Sequence, residues 1–539
     1  MSPALIEESV YVLSAKYGLV AAGEWIEDYD QRMTRERARD LRTEVSGWVS
    51  DQLDSGVERL QLVLGKDYLE AVDSRLLLNA RVSVVPGPIG RQLHALKCLA
   101  SNPANAIGLE SQGPSFFVPE WEDHVDPAFD FTTDTWSGSS PTERKDKYAH
   151  ELFTPPPYDG ILVSLAQLTK KKGVLRHGAS SFRSDRSVKQ QLRVPPNMRL
   201  MGDCGAFTYL EHENPPFSPE EAASIYGSLG FDIGASVDHI VFPGMTRLDI
   251  FGGRTELTRR ELHKRVRQTT ENARRFIAAR ETGGWAFEPM GVIQALSPDH
   301  FARLFLEYLD MGYRLIALGG LVPKRTDEII RTLQAIRTVR LSRPDSVGVG
   351  IHLFGVIRKE LTPERLREFG VTSFDSASYL RKAWLRSDKN YATSDGNWYA
   401  AIRIPFANDP RISGGGKIDE RKAQEQRCLE LLMDYDNGEQ TSIDEILPEI
   451  LAYDRLLSRI SDDGSGLEAA YRRTLEDQPW KQCPCAVCRD IGIHALIFRG
   501  INRNRRRGFH NMWVLKQSLL TQGDTGSQET FAASEARGR

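Results

Sequence analysis

A chain of 539 residues with 40% hydrophobic and 27% charged residues has the composition of a globular protein and room for about two to four domains. Its formal net charge of -3 gives no global attraction to nucleic acid, so any contact with a polyanion must come from local basic patches. No run of about 18 apolar residues occurs, and the opening MSPALIEESVYVLSAKYG lacks a basic segment followed by an apolar one, so neither a membrane span nor a secretion signal is expected.

Residues 1–75 read as a small α/β unit, with a strand at Val10–Leu13, a charged helical stretch over Arg32–Asp51 and a second strand at Leu60–Leu64. Residues 76–154 read as a linker and barrel entry region. From 155 to 406, short runs rich in Val, Ile and Leu alternate with amphipathic stretches such as 257–280 and 297–312, the pattern of repeated βα units on a parallel sheet. The eight candidate strands are 159–165, 198–207, 231–238, 288–296, 313–321, 347–356, 371–377 and 399–406. That number favours a closed (β/α)8 TIM barrel over an open doubly wound sheet. No G-x-G-x-x-G follows the first strand, which weakens a dinucleotide-binding reading. Residues 407–480, with interleaved acids and bases, read as a helical insertion, 481–521 as a zinc-binding subdomain, and the polar stretch 522–539 as a disordered tail.

Half of the six cysteines, Cys483, Cys485 and Cys488, lie within six residues of one another. Thiolates so close can share one tetrahedral zinc ion at about 2.3 Å per sulfur, with a downstream histidine, His494 or His510, closing the shell. A closed Cys3His shell is structural. Cys98, Cys204 and Cys428 have no near neighbours, and a thiolate site without a secretion signal fits a reducing cytoplasm.

In a barrel, polar groups at the C-terminal strand ends face the active-site mouth. Asp203, Asp238, Gln294, Gly319, Gly320 and Asp375 stand at such ends. A single aspartate there reads equally well as a helix N-cap, and a glycine pair as a tight turn. Three aspartates at three strand ends with a glycine pair between them point instead to a site. Five arginines lie between 499 and 507 in FRGINRNRRRGFHN. Such a run is ordinarily a solvated face, and its functional reading is a phosphate-binding ridge.

The same segments resemble the queuine/archaeosine tRNA-guanine transglycosylase superfamily, zinc-bearing (β/α)8 barrels. MGDCGAF resembles D-[ST]-G-G-F-Q, DIGASVD resembles D-I-x-x-x-x-D, VIQA resembles V-Q-G, ALGGL resembles A-I-G-G-L, and SFDSASYLRKA resembles F-D-C-x-x-P-T-R. C-x-C-x2-C with a downstream histidine is similar to the family's zinc set, whose spacing selects His510. The resemblance spans 155–515 in the family's order. It implies Asp375 as the nucleophile that forms a covalent glycosyl-enzyme, Asp203 as general acid/base, and Asp238, Gln294, Gly319, Gly320 and Leu321 as holders of the base edge. In such a family the arginine run, Arg503, Arg505, Arg506 and Arg507 above all, reads as the phosphate ridge. Arg381, Lys382 and Arg386 would grip phosphates beside the reacting sugar.

D-C-G-A-F-T in place of D-T-G-G-F-Q, the loss of P-T-R-x-x-R-x-G, the N-terminal unit and the 407–480 helices resemble the DpdA branch, which exchanges guanine in DNA for 7-cyano-7-deazaguanine (preQ0). DNA is therefore the preferred substrate, tRNA the alternative, and a non-catalytic nucleic-acid-binding subunit a third reading that the presence of Asp375 and Asp203 disfavours. Partner proteins that present or unwind DNA fit the first reading. The segments 13–20 and 27–33 weakly resemble the YaaA-related family.

Overall fold

The computed structural model describes residues 11–21, 24–55, 57, 60–77, 82–84, 114–168, 186–248, 254–346, 348–385, 388–409, 417–439, 442–455 and 465–524. Eight strands close into one barrel: β1 (Ser115–Pro119), β2 (Gly160–Ser164), β3 (Arg199–Asp203), β4 (Ile233–Ala235), β5 (Glu288–Ile293), β6 (Leu315–Leu318), β7 (Gly350–Leu353) and β8 (Val371–Asp375). Every pairing is parallel, and β8 closes on β1 with Asp375 opposite Phe117. The strands are mostly apolar because both of their faces are covered. Phe117, Leu162, Met201, Ile233, Met290, Val292, Leu315 and Ala317 fill the barrel interior. Their sequence neighbours Phe116, Ile161, Val163, Leu200, Ile293, Ile316 and Leu318 turn outward beneath the helices. This two-residue alternation is the pleat of a strand.

The covering helices obey the other period. In Pro298–Asp310, Phe301, Ala302, Leu304, Phe305, Tyr308 and Leu309 are buried along one face, and Ser297 starts the helix by accepting the His300 N–H.

Two strands differ from the sequence expectation. The first barrel strand is Ser115–Pro119, inside the stretch read as a linker, and the run at 399–406 lies outside the barrel. No amphipathic helix directly follows β1 to mark it. The chain instead makes an excursion carrying the short hairpin of His124–Val125 with Lys147–Tyr148. The run at 399–406 contributes Ile402–Arg403, paired with Ile497–Phe498 beside the cysteine cluster. Its carbonyls at Ala400 and Pro405 are taken by Thr474 Oγ1 and the Tyr453 hydroxyl, so it belongs to the layer of helices Ile418–Asn437, Ile443–Arg455 and Ser465–Asp477.

At the N-terminus, an antiparallel hairpin (Tyr11–Ser14 with Gly18–Ala21), a helix (Arg35–Asp54) and a parallel pair (Leu60–Leu62 with Val82–Val84) share a small core of Leu13, Ala38, Leu41, Val45, Val49 and Val82. The unit touches the barrel's outer helix layer through Ser74 Oγ, which donates to the Leu341 carbonyl at 2.7 Å. The tail reading for 522–539 falls, beyond Asp524, outside the described residues. Among the described residues no helix is long and apolar enough to cross a membrane.

Candidate active site

The C-terminal strand ends carry the polar residues. Asp203 ends β3 and Asp375 ends β8; Asp238 lies just past β4, Gln294 directly follows β5, and Gly319 follows β6. Asp238 is the hub of one cluster. Its Oδ2 accepts the Gln294 Nε2–H at 2.6 Å and its Oδ1 accepts the Cys204 thiol at 2.9 Å. The Tyr209 hydroxyl donates to Cys204 Sγ at 2.9 Å, and the Val241 N–H donates to Gln294 Oε1 at 3.2 Å. Both Asp238 oxygens are thus satisfied, as a buried carboxylate requires. The glycine pair serves this cluster by letting the chain pass close. A Cβ on Gly319 would stand 2.1 Å from Gln294 Nε2, and Gly320, at φ +66°, would put one 2.5 Å from the Val241 carbonyl. The Gly319 N–H is taken by the Ile293 carbonyl. Leu321 is wholly buried in the core, and its carbonyl accepts the Lys324 N–H.

Asp203 lies against this cluster; oxygens of Asp203 and Asp238 and the Cys204 sulfur all fall within 4.8 Å of one another. Burial first, then the charge of Asp238 and more weakly that of Asp375, push the Asp203 carboxyl up to about 7, against an opposing hydrogen bond from the Gly205 N–H at 2.9 Å. Burial raises the Asp238 carboxyl as well, and lifts the Cys204 thiol so far that it remains a donor. Asp203 is therefore poised to gain and lose a proton near neutrality. Phe207, four residues on, exposes 60% of its surface.

Asp375 is only 7% exposed. Its Oδ1 receives the Gly355 N–H at 2.9 Å and lies 3.3 Å from His352 Nε2. Cys204, Tyr209, Phe207, Gly355 and His352 escaped the reading of the sequence. The signal for His352 was present, since it is a lone polar residue inside the apolar run GVGIHLFGV.

Past Asp375, the Arg381 guanidinium lies 5.3 Å from the Trp121 ring centre, and Lys382 Nζ sits 4.0 Å over Trp398. Burial and the positive charges of Lys389 and Lys359 lower the Lys382 pKa. Arg386 lies outside the described residues.

The structure brings Cys483, Cys485, Cys488 and His510 together. The three sulfurs lie 3.5, 3.4 and 3.4 Å from His510 Nδ1. His510 Nε2 donates to the Ala392 carbonyl at 2.8 Å, which turns Nδ1 toward the sulfurs. This group could hold a metal ion. His494 is elsewhere, stacked on Phe131 and accepting from Arg503.

The arginine run is not a phosphate ridge. Arg503, Arg506 and Arg507 are at most 2% exposed. Arg503 pairs with Asp134 and donates to the Phe131 carbonyl at 2.6 Å; Arg506 pairs with Asp490 and donates to the Asp126 carbonyl at 3.0 Å; Arg507 donates to the Ala383, Ala495 and Ile497 carbonyls at 3.0–3.1 Å. Arg505 donates to the His124 carbonyl and pairs with Asp123. The 120–148 excursion takes the charges of Arg503 and Arg505 and a hydrogen bond from Arg506, while Asp490 and the carbonyls of Ala383, Ala495 and Ile497 take the rest. The run is an internal strut. Arg503→Ala leaves Asp134 buried beside one remaining partner, Arg499, and is expected to cost about 3 kcal/mol in a denaturant melt.

A family of unknown function, DUF6884, matches residues 5–98, the N-terminal unit. A curated relative from Salmonella montevideo, named DNA-guanine transglycosylase, is 37% identical over 417 residues, covering 75% of this chain and 96% of the relative. With that identity over that share of both chains, the chain belongs to the DNA-guanine transglycosylase family and is an enzyme of the glycosyltransferase type.

Proposed function

We propose that this enzyme exchanges guanine in DNA for a 7-deazaguanine, 7-cyano-7-deazaguanine (preQ0), by double displacement through a covalent glycosyl ester on Asp375. The observation that carries the reading is the meeting of Asp203 and Asp238 at the barrel mouth that Asp375 also lines; burial and these neighbouring charges push the Asp203 carboxyl up to about 7. The relative's name favours DNA over tRNA.

In the first displacement an Asp375 oxygen attacks C1′ and the C1′–N9 bond breaks. The electron pair leaves with guanine, and the neutral Asp203 carboxyl supplies the proton that makes it a tolerable leaving group. In the second, the deazaguanine gives its N9 proton to Asp203 and attacks C1′, and the ester's electron pair returns to Asp375. Two inversions leave the β configuration. Asp238, held by Gln294 and Cys204, presents acceptors to the N–H edge of the base, and the exposed Phe207 ring offers a face for it. A stacked guanine is unreachable, so the target base is flipped out or already single-stranded. Arg381 and Lys382, with Lys359 near, supply the positive charge for flanking phosphates. DNA-presenting partner proteins fit this requirement.

Zinc suits the Cys3His group, since tetrahedral bonds of about 2.3 Å to sulfur and 2.0 Å to nitrogen put S and N about 3.5 Å apart, the spacing found here. With all four positions protein-supplied, the ion would be structural. Chelation is expected to lower the melting temperature by at least about 5 °C and release one zinc per chain on metal analysis.

Labelled guanine and labelled preQ0, each offered with duplex DNA, single-stranded DNA and tRNA, test the substrate. Incorporation into DNA and not tRNA supports the reading; incorporation into tRNA alone overturns it.

A further inference from the structure

His352 is fully buried on β7, walled by the Phe117 and Phe354 rings, whose centres lie 6.2 and 4.7 Å from its own. A register shift between Ile351 and His352 places it opposite Ser373 of β8; such bulges re-aim a side chain. Its Nδ1 lies 2.9 Å from Ser373 Oγ and its Nε2 3.3 Å from Asp375 Oδ1. An ionised carboxylate only accepts, so Nε2 carries the proton, and Nδ1 is left to accept the serine hydroxyl.

We infer that His352 is the positioning residue for Asp375: with the Gly355 N–H it pins Oδ1, turning Oδ2 toward the sugar, and it stabilises the carboxylate that departs in the second displacement. This rests on the nucleophile reading above. Both contacts fall on one oxygen, Oδ1. While the Oδ2–C1′ ester exists, Oδ1 is a neutral carbonyl and its two hydrogen bonds are weak. When the incoming base forms its N9–C1′ bond and gives up the N9 proton to Asp203, the C1′–Oδ2 bond breaks and its electron pair returns to Asp375. The negative charge then spreads onto Oδ1, and both hydrogen bonds strengthen. The same bonds lower the nucleophilicity of the resting carboxylate, so His352 assists the second displacement more than the first.

Removing one hydrogen bond to a charged group should lower kcat by roughly 10- to 100-fold. In His352→Met, which fills the space without a donor, kcat should fall by that factor and KM for DNA should fall with it, because kcat/KM for DNA is set by the first displacement. The fraction of enzyme trapped as covalent protein–DNA on a denaturing gel should rise several-fold over wild type. His352→Gln, which restores an N–H, should recover most of kcat and the wild-type trapped fraction. In 15N spectra of the folded wild-type protein the His352 ring should show a protonated Nε2. Wild-type kcat in His352→Met, a Gln variant no better than Met, an unraised trapped fraction or an Nδ1-protonated ring each overturns the inference. Asp375→Asn run in parallel separates the two readings. Exchange by that variant overturns the nucleophile itself; a dead Asp375→Asn beside normal His352 variants overturns only the role of His352.

Discussion

Asp375→Asn is expected to abolish base exchange, with a fall of roughly 10^4-fold or more in the rate of guanine release, and to eliminate the covalent protein–DNA species. The amide keeps the size of the carboxylate and leaves an oxygen for the Gly355 N–H, so the loss is chemical and not architectural. An amide oxygen carries no full charge and cannot form the glycosyl ester. Labelled guanine released from DNA gives the rate, and a denaturing gel gives the adduct. Turnover at a wild-type rate would assign the nucleophile elsewhere.

Asp203→Asn is the second large effect, a loss of roughly 10^2- to 10^4-fold. Burial and the neighbouring Asp238 and Asp375 raise the Asp203 carboxyl to about 7, so below that pH it holds the proton that departing guanine needs, and above it the proton is lost. The wild-type rate of guanine release should therefore fall as pH rises through about 7. In Asp203→Asn that limb should vanish along with most of the rate. Asp238→Asn, which weakens the negative field at Asp203, should move the limb to lower pH. A limb that persists unchanged in Asp203→Asn would mean that another group delivers the proton.

Much of this was legible in the chain. Strands buried on both faces are largely apolar and the helices between them amphipathic, so 159–165, 288–296 and 313–321 spell a parallel barrel. Asp203, Asp238 and Asp375 could be placed at the barrel mouth because strand C-termini face that end of a barrel. Cys483, Cys485 and Cys488 could be grouped because the spacing of such a cluster is local. The strand Ser115–Pro119 was hidden because an excursion with a hairpin, and no directly following helix, leads out of it. The run at 399–406 misled because an apolar strand pairs equally well with Ile497–Phe498 as with a barrel neighbour.

Direction is what the linear pattern lacks. Arginines 503, 506 and 507 spell a basic ridge, and only tertiary packing supplied the Asp134, Asp490 and carbonyl partners that turn them inward. His352 lies 23 residues before Asp375, and a bulge in β7 together with closure of the barrel brings its imidazole to the carboxylate. The amino-acid sequence by itself determined the class of fold and brought the three aspartates and the cysteine group forward as candidates, because periodicity and ligand spacing are encoded over a few residues. Which charges face solvent and which groups lie against Asp203 and Asp375 were decided by the tertiary structure, because burial and hydrogen bonding depend on residues far apart in the chain.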